Sequence, residues 1–138
     1  MRTVIQAAMQ ANSPISSLLT GGIHAETEIS RQLTPDAFDA NGELLPCALV
    51  TTPGEFADGP NEIAGRLNCT IYFYQRAGYT VIDAARTLTR TLFHNQKVGD
   101  PEDRVWEMRW VNSVNEQRDS ALDCPVHRLQ FEIVRRID

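Results

Sequence analysis

Leu67-Asn68-Cys69-Thr70-Ile71-Tyr72-Phe73-Tyr74, running through Gly78 into the segment from Tyr79 to Phe93, is the stretch that decides the fold class. Leu67, Cys69, Ile71 and Phe73 alternate with Asn68, Thr70, Tyr72 and Tyr74. This period of two marks a half-buried strand. Gly78 breaks the pattern, and from Tyr79 the apolar spacing turns helical. Val81, Ala85, Leu88 and Leu92 are expected on one helix face, with Ile82 and Phe93 on its flanks. Asp83, Arg86, Thr87 and Arg90 are expected to face the other way. A strand feeding a helix that packs back on the same sheet makes a folding nucleus. It carries no chemistry by itself, and no catalytic constellation surrounds it.

The flanking sequence extends this unit in both directions. Thr3 to Ala11 reads as a first helix. Ser13-Pro14 reads as a cap and first-turn proline for a second helix, Pro14 to Thr20, stopped by Gly21-Gly22. Ile23 to Ile29 alternates weakly and suits a short edge strand or extended segment. Thr34-Pro35-Asp36 begins a helical turn, and Asp39-Ala40-Asn41-Gly42 is turn chemistry. Leu45 to Thr52 is apolar on both faces, which suits a central strand with Pro46 at its start. Pro53 to Arg66 is rich in Gly, Pro and acid and reads as a long, mobile hairpin connection. His94 to Arg104 reads as a polar loop, Val105 to Val111 as a strand, Asn112 to Leu122 as a polar connection and Val126 to Val134 as the closing strand. The expected architecture is α+β, one domain over 1–138. It has an antiparallel or mixed β-sheet of about four main strands, with helices packed on one face.

A chain of 138 residues, 42% apolar and 22% charged, has the make-up of a folded soluble domain. No apolar run approaches the roughly 20 residues that cross a bilayer. The start, Met1-Arg2-Thr3-Val4, lacks a signal peptide's apolar stretch, so synthesis and assembly in the cytoplasm are expected, with no membrane partner. The net charge of −5 is unevenly spread: residues 1–65 hold eight acidic and two basic side chains, residues 66–138 ten acidic and eleven basic. Duplex binding through a basic surface is disfavoured by that balance. All the basic residues but Lys97 are arginine, which suits subunit interfaces because guanidinium forms forked, partly desolvated ion pairs; a GC-rich genome gives the same bias.

Candidate chemistry is sparse. Cys47, Cys69 and Cys124 are odd in number, against a disulfide scaffold. Cys124 and His127 have metal-ligand types, but their spacing on a strand sends them to opposite faces, and His24, His94 and Cys47 offer no matching pair. No metal and no cofactor is expected. Neither G-x-S-x-G, a P-loop nor G-x-G-x-x-G occurs, and the carboxylate pairs Glu26/Glu28 and Glu102/Asp103 suit solvated loops better than a catalytic cleft. Trp106, Met108 and Trp110 form the largest aromatic stripe. Core packing outweighs base stacking there, because the stripe alternates with one acid and one arginine; a subunit contact is the third option.

With the elements placed, the chain resembles the tail-terminator, or tail-completion, family of long-tailed bacteriophages. The pattern begins with a helix closing at Leu18-Leu19-Thr20-Gly21-Gly22-Ile23-His24 and continues with Leu45-Pro46-Cys47-Ala48-Leu49-Val50. It then runs through the strand Leu67 to Tyr74, the helix Tyr79 to Phe93 with its Ala84-Ala85-Arg86, and Glu116 to Leu122 leading into Val126 to Val134. The resemblance implies a structural virion protein rather than an enzyme. Family members form rings, commonly hexameric, that cap the tail tube, end its polymerisation and join it to the head connector. DNA passes through the lumen without specific binding, and the acidic balance fits a pore that must not grip phosphates. Alternatives are another neck component of similar size or a small ligand-binding or enzymatic α+β domain. Contacts are expected from Glu55, Phe56 and Asp58 on one side, and Arg104, Arg109 and Arg118 on the complementary side. The acidic insertion 53–66 departs from the family pattern.

Overall fold

A computed structural model describes residues 1–57, 64–99 and 105–136, without the side chains of 55–57, 64–65, 105–106 and 135–136. The elements run α1 (Arg2–Ala11), α2 (Ser13–Leu18), β1 (Ile23–His24), a 3-10 turn (Pro35–Ala37), β2 (Cys47–Ala57) and β3 (Ala64–Tyr74). They continue with α3 (Thr80–Phe93), β4 (Lys97–Gly99), β5 (Val105–Asp119) and β6 (Cys124–Arg136). The fold is α+β. Its sheet is mixed and six-stranded in the order β1-β2-β3-β6-β5-β4, so about four main strands is an undercount. The two extra strands are very short: β1 pairs parallel to β2 at Ala48 and Leu49, and β4 pairs antiparallel to β5 at Val105 to Glu107. Three or fewer residues leave no periodicity to read, which is why Lys97 to Gly99 passes for loop in the sequence.

The long strands also outrun their expected limits. β2 does not end at Thr52; it continues through Pro53 and Gly54 to Ala57, and β3 begins at Ala64. Register shifts between Thr51 and Gly54, where Thr51 opposes Thr70 and Gly54 opposes Asn68. Two residues, Thr52 and Pro53, thus face one, and a bulge of this kind admits a proline that has no amide proton for the ladder. The connection expected over 53–66 is therefore largely strand, and its remainder, 58–63, lies outside the described residues. β5 likewise runs past Val111 to Asp119, absorbing one bulge between Trp110 and Asn112 and another between Val114 and Gln117. Its polar composition hid it, because this edge-proximal strand is exposed over much of that length.

One core cluster unites Ile5, Met9 and Ile15 of α1 and α2 and Ile82, Ala85 and Phe93 of α3 with Val50, Leu67, Cys69, Ile71, Phe73, Met108, Leu129, Phe131 and Ile133 of the sheet. Phe93 meets Phe131 edge-on, with centroids 6.0 Å apart. A second cluster joins Cys47, Leu49, Tyr74, Cys124 and Val126 to Ile29 and Ala37. β2 is accordingly buried on both faces at Cys47 to Val50, although β1 covers only a short part of its outer edge.

The face of α3 is turned from the expected one. Ile82, Ala85, Thr89 and Phe93 are buried, while Leu88 is 37% exposed. Thr89 takes the core position because its hydroxyl donates to the Ala85 carbonyl at 2.8 Å, so no polar group is left unpaired. The helix starts without a side-chain cap of its own; Gln75 Oε1 accepts the amides of Val81 and Ile82 instead. For α2 the cap is Asn12, not Ser13: Asn12 Oδ1 accepts the Ile15 amide at 3.2 Å. After α2, Gly21 packs so close to Pro46 that a Cβ there would lie 2.9 Å from its carbonyl oxygen.

Candidate functional site

Of the six residues expected at subunit contacts, Asp58 and Arg104 lie outside the described residues. Glu55 and Phe56 are placed by backbone only, on β2 opposite Leu67 and Arg66 of β3. Arg109 sits on β5 opposite Glu132 and approaches Glu107 at 3.5 Å, with both side chains of that pair substantially exposed. Arg118 closes the β5–β6 hairpin: its guanidinium forks onto Asp123, 2.8 Å from Oδ1, and also donates to the Asp123 carbonyl. Such exposed pairs contribute little stability, so Arg109 and Arg118 keep their charge available at the surface. The structure places Arg109 and Arg118 at separate points along β5.

It does build a groove that sequence reasoning missed. The groove, about 760 Å³, lies between the polar face of α3 and the stretch of β5 around its first bulge. Arg86 and Arg90 recur at helical spacing on α3 and line one wall. Arg90 lays its guanidinium over the Trp110 ring at 3.8 Å, a cation–π contact. Arg86 bonds Asn115 Oδ1 and approaches Asp83 at 3.8 Å. His94 Nδ1 accepts the Trp110 amide, which leaves the ring proton of the neutral imidazole on Nε2. Trp110 Nε1 donates to Ser113 Oγ, which leaves that hydroxyl proton for another acceptor. Val111, the extra residue of the bulge, is 53% exposed at the rim. Among the described residues, those lining this groove include two arginines and no acid. The signal in the sequence was the Arg86–Arg90 pair one helical turn apart, but only the fold brings Trp110 beneath it.

The Trp110 half of the aromatic stripe therefore packs partly on the core and partly under Arg90, while Met108 is fully buried. The side chain of Trp106 lies outside the description. His127 is fully buried; it stands opposite the second bulge of β5, with Nε2 2.6 Å from Asp83 Oδ1. Burial pushes its pKa down, against the opposing pull of the Asp83 hydrogen bond and charge. Cys124 shares a core cluster with Val126, away from His127. Burial raises the thiols of Cys47 and Cys69 to about 12 and that of Cys124 to about 11. Protonated, enclosed thiols of this kind are poor nucleophiles and poor metal ligands. Among the described residues, no three His, Cys, Asp or Glu side chains converge as a metal site.

No family model matches this chain, and neither does any curated protein sequence. The fold is similar to that of a chain in the virion of the native gene transfer agent (GTA) particle, with a TM-score of 0.64 at 10% sequence identity. The likeness covers 99% of this chain and 93% of that one. No helix of the described residues is long and apolar enough to cross a membrane.

Proposed function

We propose that this chain is a structural component of a phage-like virion, acting as a tail terminator. Copies assemble into a ring, hexameric by the family resemblance, that caps the tail tube, stops its growth and presents a surface to the head-completion or connector protein. The observation that carries this reading is the fold likeness to a gene transfer agent virion chain over nearly the full length of both chains. The role is one of assembly rather than turnover. DNA crosses the lumen without specific contacts, and the net charge of −5 favours that passage because like charges repel the phosphates. Its place is the tail or neck of the particle, put together in the host cytoplasm.

In a ring each subunit uses two different patches, because the interface is heterologous and closes by rotation. Co-expression with the tail tube protein of the same particle, read by negative-stain electron microscopy, tests the reading. Tubes of uniform length with a ring at one end are expected. Tubes that grow to unrestricted length in the presence of the protein, with no density at their ends, would overturn it.

A further inference from the structure

The groove between α3 and β5 presents positive charge and hydrogen-bond donors. Arg86 and Arg90 supply fixed charge, and the His94 Nε2–H and Ser113 Oγ–H are donors with no acceptor among the described residues. The hydroxyls of Thr87 and Thr91 on the same helix are already spent on the Asp83 and Thr87 carbonyls. Arg90 is held flat by Trp110 and has no acidic partner among the described residues, so its outward edge is preorganised for a planar carboxylate.

The chain also carries a matching group on the far side of its sheet. Directly after β1, Glu26, Thr27 and Glu28 are all exposed, and no cation pairs with either carboxylate among the described residues. They belong to the N-terminal part of the chain, where acids outnumber bases by eight to two over residues 1–65. Thr27 and Glu28 lie over the sheet face that carries Leu49 and Tyr74, beside Leu122 of the β5–β6 turn, whereas the groove lies between α3 and β5, and α3 packs on the other face. An acidic segment on one face of the sheet and a donor-lined groove beside the helix of the other face are complementary between copies, not self-complementary within one patch. That arrangement gives a head-to-tail contact, the kind that propagates around a ring.

We infer that Glu26 and Glu28 of one copy dock into the Arg86/Arg90 groove of the next, forming the self-association contact of this protein. The inference deepens the ring reading and rests on it only for closure; the contact itself needs a second copy and nothing more. It places the lateral contact on residues other than Glu55 and Asp58, which are then free for the axial neighbours.

A charge-swap series on the full chain tests it, with mass photometry and sedimentation equilibrium reading assembly and circular dichroism confirming the fold. Glu26→Arg with Glu28→Arg should weaken self-association more than tenfold, and Arg86→Glu with Arg90→Glu should do the same. Combining the four changes should restore most of the lost assembly, a rescue that a merely unfolded groove variant would not give. Glu26→Gln with Glu28→Gln, at exposed positions without folded partners, should weaken assembly and blunt its dependence on salt. Assembly unchanged by the Gln pair and by the Glu26/Glu28 reversal overturns the inference while leaving a ring intact. A charge-swap rescue that yields open filaments in the microscope upholds the contact and sinks the closed ring. A wild-type chain that stays monomeric at high concentration overturns the contact.

Discussion

His127 Nε2 donates to Asp83 Oδ1 at 2.6 Å, and this bond ties the middle of the sheet to the first turn of α3. The direction is fixed from the other side of the ring. His127 Nδ1 accepts the Glu116 amide at 3.0 Å, so the proton sits on Nε2. Glu116 has a positive φ of 56° and lies in the bulge where β5 sets two residues against His127. The ladder cannot pair that amide, and the imidazole does so instead. Tyr79 packs on the ring with centroids 5.0 Å apart and donates its hydroxyl to the Gln117 carbonyl, which closes the same corner.

Removing the imidazole should therefore cost more than its size implies. His127→Ala leaves the Glu116 amide without its acceptor, a loss of about 1–3 kcal/mol before any packing defect is counted. His127→Asn, whose Oδ1 can stand in for Nδ1, should recover part of that loss. Urea unfolding of the two variants beside wild type checks the order. Equal destabilisation by both would mean that the bulge amide is satisfied some other way.

The same histidine gives a pH dependence with a definite sign. Its folded pKa lies below the ordinary 6.5, so the unfolded chain binds the proton more readily. Its contribution to stability is complete above about 6.5 and is lost as pH falls toward the lowered folded value. Protonation at Nδ1 would also replace an acceptor by a second donor facing the Glu116 amide. Between pH 7 and 5.5 wild type should lose stability faster than His127→Asn in paired denaturant titrations. Parallel curves would exclude His127 as the source.

Leu88 and Ile82 show where the sequence was legible and where it was not. The element α3 and its partner strand were readable because two strong periodicities meet at Gly78. The rotation of the helix was not, since a scan of apolar residues prefers Leu88 to Thr89. The fold reverses that order by giving Thr89 a backbone acceptor. Ile82→Ala should cost about 2–5 kcal/mol, as buried aliphatic truncations do, and Leu88→Ala under about 1 kcal/mol. Thermal or urea melts of the pair decide it, and a larger loss at Leu88 would put Leu88 on the core face of α3.

Cys47, Cys69 and Cys124 are all buried and are all pushed to high pKa. Reaction with a chromogenic disulfide reagent at pH 8 should be slow in the native protein and should release three thiols at once on unfolding. One thiol reacting promptly without loss of structure would show that a cluster opens locally.

The candidate surfaces were less legible than the fold, for a physical reason. Strand and helix periods report burial, but a surface groove depends on which distant residues the topology brings together. Arg86 and Arg90 were visible as a polar helix face; Trp110 and Ser113 joined them only through the extended, bulged β5. Arg118 forks on Asp123 within its own hairpin, and both side chains stay exposed. The acidic residues Glu55 and Asp58 remain as proposed contacts of a different kind. If Glu26 and Glu28 serve the lateral neighbour, Glu55 and Asp58 are left for the axial partner, the tail tube. Glu55→Lys with Asp58→Lys should then leave the mass of the assembled ring unchanged and weaken its capture by purified tubes at least tenfold in co-sedimentation. Loss of the ring itself would move Glu55 and Asp58 into the lateral interface. Normal capture would make the 53–66 stretch a passive surface feature.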